Sequence, residues 1–137
     1  MGALFSGVPA VHAETAEDCF NRGQTDFKQG DLAEAIADFK KAIKINPNFA
    51  EAYNNLGEAY AGQGNLSQAI MDYAKAVEIN PNYADAYINR GFAYGMQGTL
   101  VQAISDYTKA IEIDPNYAEA YYIRGITYAQ QGNFTQA

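Results

Sequence analysis

Small, apolar and polar positions return along this chain in a fixed order. The phrase INPNFAEAYNNLGEAYAGQG starts at Ile45, and near-copies start at Ile79 (INPNYADAYINRGFAYGMQG) and Ile113 (IDPNYAEAYYIRGITYAQQG), an interval of 34 residues. Gly23, Gly57, Gly91 and Gly125 share one column, and Gly30, Gly64, Gly98 and Gly132 another. Ala35, Ala69, Ala103 and Ala137 form a third, with Ala42, Ala76 and Ala110, and Pro47, Pro81 and Pro115, in register. Self-similarity at such a period marks stacked copies of one supersecondary unit. The units run 16–49, 50–83, 84–117 and, in part, 118–137.

Each unit punctuates into two helices. Proline stops a helix and sets a turn with the Asn that follows it. Mid-unit, Gln-Gly followed by Asp, Asn or Thr supplies a glycine C-cap and a polar N-cap. Helices are predicted near 16–29, 32–45, 50–62, 66–79, 84–96, 100–113 and 118–130, with a stub after Phe134. Mid-helix glycine costs about 1 kcal/mol against alanine, so the Gly57 column predicts a partner helix too close for a Cβ. Ala69, Ala76, Ala103 and Ala110 are the matching small sites, and Tyr53, Tyr60, Tyr73, Tyr87, Tyr94 and Tyr107 fill around them. Such large/small alternation specifies interlocked antiparallel helices.

Leu56, Gly57, Tyr60, Ala69, Tyr73, Ala76 and Pro81 stand in the order of the tetratricopeptide repeat signature. Residues 16–137 as a whole resemble that family. Its tryptophan position holds Tyr53, Tyr87 and Tyr121, and Cys19 in the first unit, where a small core residue is expected. The resemblance implies an all-α, right-handed superhelical solenoid of antiparallel helix pairs. It also implies a concave groove, lined by the first helix of each pair, that receives a peptide or protein segment.

Charge narrows the partner. The net charge is −7, with only nine Lys and Arg. Their one cluster, Lys40, Lys41 and Lys44, lies among acids, so no nucleic-acid role is expected. One cysteine and one histidine allow neither an intrachain disulfide nor a structural zinc site. Nothing in the sequence offers a nucleophile–base pair, a metal cluster or a phosphate-binding loop, so no catalysis and no cofactor are expected.

The two ends differ from the interior. MGALFSGVPAVHA has no acidic or basic residue except His12 and ends in small residues before Glu14. That ending fits a signal-peptidase cut after Ala13, although a basic n-region is missing and the apolar run is short of a membrane span. Export to a periplasmic, luminal or extracellular space is the expectation if this segment is a signal remnant, and a cytoplasmic location if it is a tail. Thr15 and Asp18 fit a capping box. Asp18 and Thr25 stand where inner units have alanine, as an outward-facing terminal repeat requires. At the other end GNFTQA begins a helix that stops at Ala137, so a fragment of a longer protein is expected, with Tyr121 and Tyr128 exposed and self-association possible there.

Two sets of polar columns remain. Arg22, Arg90 and Arg124 share a column with Leu56, and Asp38, Asp72 and Asp106 form another. Structural ion pairs are the leading expectation from the shared period, a ligand-anchoring row for carboxylates is the alternative, and the choice between Asp72 and Asp106 for Arg90 is left open. The family's groove positions include Asn21, Asn54, Asn55, Glu58, Ile88, Asn89, Phe92, Tyr122 and Ile126, expected to stand free of the core. Asn21, Asn55 and Asn89 form a ladder whose carboxamides can donate and accept. Glu17, Glu51, Asp85 and Glu119 form an acidic rim. Chaperone-binding members of the family clamp a carboxylate with Lys, Asn and Arg. Only Asn55 matches that clamp; Phe20, Gln24, Asp85 and Asn89 occupy its other positions. A non-catalytic scaffold for a neutral-to-basic peptide or protein is therefore the leading expectation. The alternative is the repeat arm of a larger enzyme, such as a glycosyltransferase, continuing past residue 137.

Overall fold

The computed structural model describes residues 13–132. They form seven α-helices and, among the described residues, no strand. The helices are α1 (Ala16–Lys28), α2 (Leu32–Ile45), α3 (Ala50–Gly62), α4 (Leu66–Ile79), α5 (Ala84–Met96), α6 (Leu100–Ile113) and α7 (Ala118–Gln130). The predicted boundaries hold to within one residue, and the stub after Phe134 lies outside the described residues.

The two kinds of joint use different backbone chemistry. After α1, α3 and α5, glycine takes φ near +82° or +83° (Gly30, Gly64, Gly98). The glycine's own amide and the next one reach back into the helix: Gly30 donates to the Phe27 carbonyl at 3.0 Å and Asp31 to the Asp26 carbonyl at 2.9 Å. This double bond pattern satisfies the carbonyls that a helix end leaves open. After α2, α4 and α6, Asn46, Asn80 and Asp114 take extended backbone before proline, and each side-chain oxygen accepts the amide two residues on. The expected N-caps are only partly realised. Thr15 and Asp18 close the capping box, and Asn65 accepts from the Gln68 amide. Asp31 makes no side-chain cap, and Thr99 turns its hydroxyl to the Tyr94 carbonyl instead.

Packing within a pair centres on the glycine column. A Cβ at Gly23, Gly57 or Gly91 would meet the ring of Phe39, Tyr73 or Tyr107 at 2.6, 2.6 and 2.7 Å. All three rings are buried. Cys19 is also fully buried, beside Ala42 and Ala52, as a small core residue should be.

Two of the three arginines in the column pair within their own unit. Arg22 donates to Asp38 at 2.9 Å, and Arg90 forms a two-pronged pair with Asp106 at 2.9 and 2.7 Å. Arg124 bonds the Thr108 hydroxyl of the preceding unit at 3.2 Å, and its guanidinium lies over the Tyr121 ring. Leu56 breaks the column, so buried Asp72 has Gln68 as its hydrogen-bond partner. Burial pushes the Asp72 carboxyl up to about 6, against the pull of Gln68 and Lys40.

Candidate functional site

The first helix of each pair also meets the first helix of the next, α1 with α3 and α3 with α5. The second helices make no comparable contact with one another among the described residues. The more closely spaced layer of a curved stack is its inner one, so α1, α3, α5 and α7 line the concave side. Hollows lie along this layer at successive junctions.

Their chemistry changes along the stack. The α1/α3 hollow, about 160 Å³, is lined by Gln24, Lys28, Asn55 and Glu58, with Phe27 and Phe39. The α3/α5 hollow, about 320 Å³, mixes Asn89 with Leu66, Phe92 and Met96. The α5/α7 hollow, about 590 Å³, is apolar, lined by Phe92, Met96, Tyr107, Tyr122 and Ile126, with Glu119 its one acid. Phe92, Met96, Tyr122 and Ile126 are 52, 61, 73 and 42% exposed, which is high for large apolar residues gathered in one place.

Not every expected groove position is free. Asn54 and Ile88 are only 5% exposed, which corrects the expectation that they stand clear of the core. Their column is covered by the first helix of the following unit: Ile88 packs with Ala110 and Ala120. Tyr122 belongs to the same column but remains open among the described residues. The apolar members Phe20, Ile88 and Tyr122 were the sequence signal that this column packs. Tyr128, expected to be exposed, is half-buried, whereas Tyr121 is 45% exposed.

The asparagines form a crossed network rather than a simple ladder. Asn89 donates its amide to the Asn54 oxygen at 3.0 Å, and Asn54 donates to the Asn55 oxygen at 3.4 Å. Asn55 and Asn89 line the hollows, and among the described residues the Asn55 amide and the Asn89 oxygen have no protein hydrogen-bond partner. Asn21, at the first rung, is exposed. The Asn54–Asn89 bond joins positions 35 apart, one step off the repeat, and reading columns alone misses it.

Acids dominate the electrostatics. Glu17, Glu51, Asp85 and Glu119 are exposed along the helix starts, and Asp85 accepts from the Tyr117 hydroxyl. Glu58 is half-buried, makes no ion pair among the described residues, and has its carboxyl pushed up by burial and by Asp85. The Tyr83 phenol is pushed up to about 12 by burial, with Glu51, Asp85 and Glu58 adding to it. Among the described residues no group of three or more His, Cys, Asp or Glu could hold a metal. No described helix is long and apolar enough to cross a membrane.

Known structures share this architecture. The first TPR of Spaghetti (RPAP3), solved bound to the HSP90 peptide SRMEEVD, is 28% identical with a TM-score of 0.84, over 90% of this chain and 99% of that one. MamA is 30% identical with a TM-score of 0.85, over 98% of this chain and 76% of that one. The first TPR domain of human RPAP3 is 28% identical with a TM-score of 0.83, over 90% of this chain and 97% of that one. No curated protein matches the chain in sequence. The family model described as TPR repeat matches residues 23–64, 62–98 and 97–132. With the helix pairs, glycine crossings and concave layer in place, the chain belongs to the tetratricopeptide repeat family.

Proposed function

We propose that this chain is a non-catalytic interaction module that holds a neutral-to-basic peptide or protein segment against the concave layer of α1, α3, α5 and α7. The observation that carries this reading is the gathering of exposed Phe92, Met96, Tyr122 and Ile126 on that layer beside unpartnered groups of Asn55 and Asn89. Large apolar side chains anchor interfaces, and amides fix the register of a bound backbone. The RPAP3 repeat domain, solved with an HSP90 peptide, supports a peptide as the class of ligand.

The charge of the ligand differs from that case. SRMEEVD carries three acidic side chains. Here the acidic rim would repel such a segment, and only Asn55 stands at a clamp position. A partner without excess negative charge follows.

Site-specific photo-crosslinking in native extract tests the proposal. A crosslinking residue at Asn55, on the concave layer, is expected to capture a partner. The same residue at Met71, 64% exposed on the second-helix layer, is expected not to. Capture from Met71 and none from Asn55 would move binding to the outer layer.

A further inference from the structure

The concave layer is chemically two-ended. Toward the N-terminal half it presents Glu58, a carboxylate without a counter-ion among the described residues, with Asp85 close enough to act on it. Toward the C-terminal half it presents the apolar hollow of about 590 Å³ between α5 and α7. Between them, among the described residues, the Asn55 amide is a free donor and the Asn89 oxygen a free acceptor, because the Asn54 bridge occupies their other halves.

Building on the groove reading above, we infer that the occupant is an extended segment carrying a Lys or Arg for Glu58 and one large apolar side chain for the α5/α7 hollow, in a single direction. Glu58 sits on α3, and the hollow lies between α5 and α7. At about 10 Å per helix spacing the two are about 15 Å apart. Extended chain covers that in about four or five residues. An extended backbone also exposes N–H and C=O groups along each edge, which suits one donor and one acceptor between the end sites.

Charge complementarity selects a cation at the Glu58 end. The concave layer holds Glu17, Glu51, Glu58, Asp85 and Glu119 against Lys28, whose exposed ammonium makes no ion pair with Glu58. Burial penalises the Glu58 charge, and an incoming ammonium or guanidinium would relieve that penalty. At the other end Phe92 and Ile126 flank the hollow, and Tyr107 lines it too. Its volume takes a Leu, Met or Phe side chain with room for neighbouring backbone.

Synthetic peptides test this. Fluorescent eleven-residue probes would carry one Lys and one Leu, two to eight residues apart and in both orders, in an otherwise neutral Ser/Gln background. Binding is read by anisotropy. Affinity should peak at a separation of four or five, in one order, and fall about tenfold when norleucine replaces Lys. Glu58→Gln should abolish the Lys preference while keeping the Leu preference. Phe92→Ala, at a 52% exposed position, should do the reverse. Probes that bind without regard to Lys, order or separation would overturn the two-ended site and leave the groove itself standing. If no probe binds, the inference also fails, and crosslinking from Asn55 judges the groove separately. A dimer in sedimentation that Phe92→Ala dissolves would place a second copy in the hollow and overturn it as well.

Discussion

The ring of Tyr73 lies over Gly57 so closely that an added Cβ would stand 2.6 Å from its Cε1 and 2.7 Å from its Cδ1. Both residues are buried, so neither can retreat. The helix gives up propensity here to bring α3 and α4 together. At Gly125 on α7 the column has no such neighbour within 4 Å among the described residues.

Opposite outcomes follow for one substitution at two equivalent sites. Gly57→Ala should lose stability, because overpacking of about 1–3 kcal/mol exceeds the roughly 1 kcal/mol of propensity gained. Gly125→Ala should gain up to about 1 kcal/mol. Urea unfolding of both variants checks this, and a stabilised Gly57→Ala would refute the close crossing.

Asp72 should make stability depend on pH. Its folded value of about 6 stands above its ordinary 3.8. The native state therefore holds a proton that the unfolded chain releases between roughly pH 4 and pH 6. The contribution is fully present below that window and is lost as the pH rises through it. Asp72→Asn should thus come close to the parent near pH 4 and exceed it by about 3 kcal/mol at pH 7. An equal gap at both pH values would mean that the carboxyl is ionised in the fold.

At Asp106 the same substitution should cost stability, because here the carboxylate has an arginine partner. Its side chain is 6% exposed and that of Arg90 20%, with two bonds between them. Burial pushes the carboxyl up, and the guanidinium offsets only part of that rise. Asp106→Asn leaves Arg90 poorly matched and should cost about 2 kcal/mol. Arg90→Leu with Asp106→Asn should recover part of that loss, since Leu56 already stands at this place in the second unit. A double-mutant cycle measures the coupling, and a value near zero would reduce the pair to surface decoration.

Export is tested at the N-terminus. The full-length gene expressed in a secreting host should give a chain beginning at Glu14. Mass-spectrometric detection of Val11, His12 and Ala13 on cytosolic protein would return residues 1–13 to an uncleaved tail.

The fold was legible because each repeat restates the same instructions. Glycine and proline fix where helices stop, and Gly57 with Tyr73 fixes which surfaces meet. Period alone could not choose between Asp72 and Asp106 for Arg90, since both lie at repeat-related distances; side-chain reach decides for Asp106. The candidate site was less legible. Asn54 and Asn55 are adjacent polar residues, yet rotation by one helical step buries the first and leaves the second half-exposed. Ile88 is closed over by α7, while Tyr122, its equivalent, stays open among the described residues, a difference that no single unit encodes.

The glycine and Asn/Asp-Pro joints recur with nearly the same torsions, whatever side chains face the groove. Spine and face are therefore separable in heredity. Tandem duplication of one whole unit would splice in without disturbing the joints on either side. A second copy of 84–117, placed after the first, would add another Phe92 and Met96 to the face. The groove could lengthen, and its apolar stretch could double, through one recombination event and no new turn.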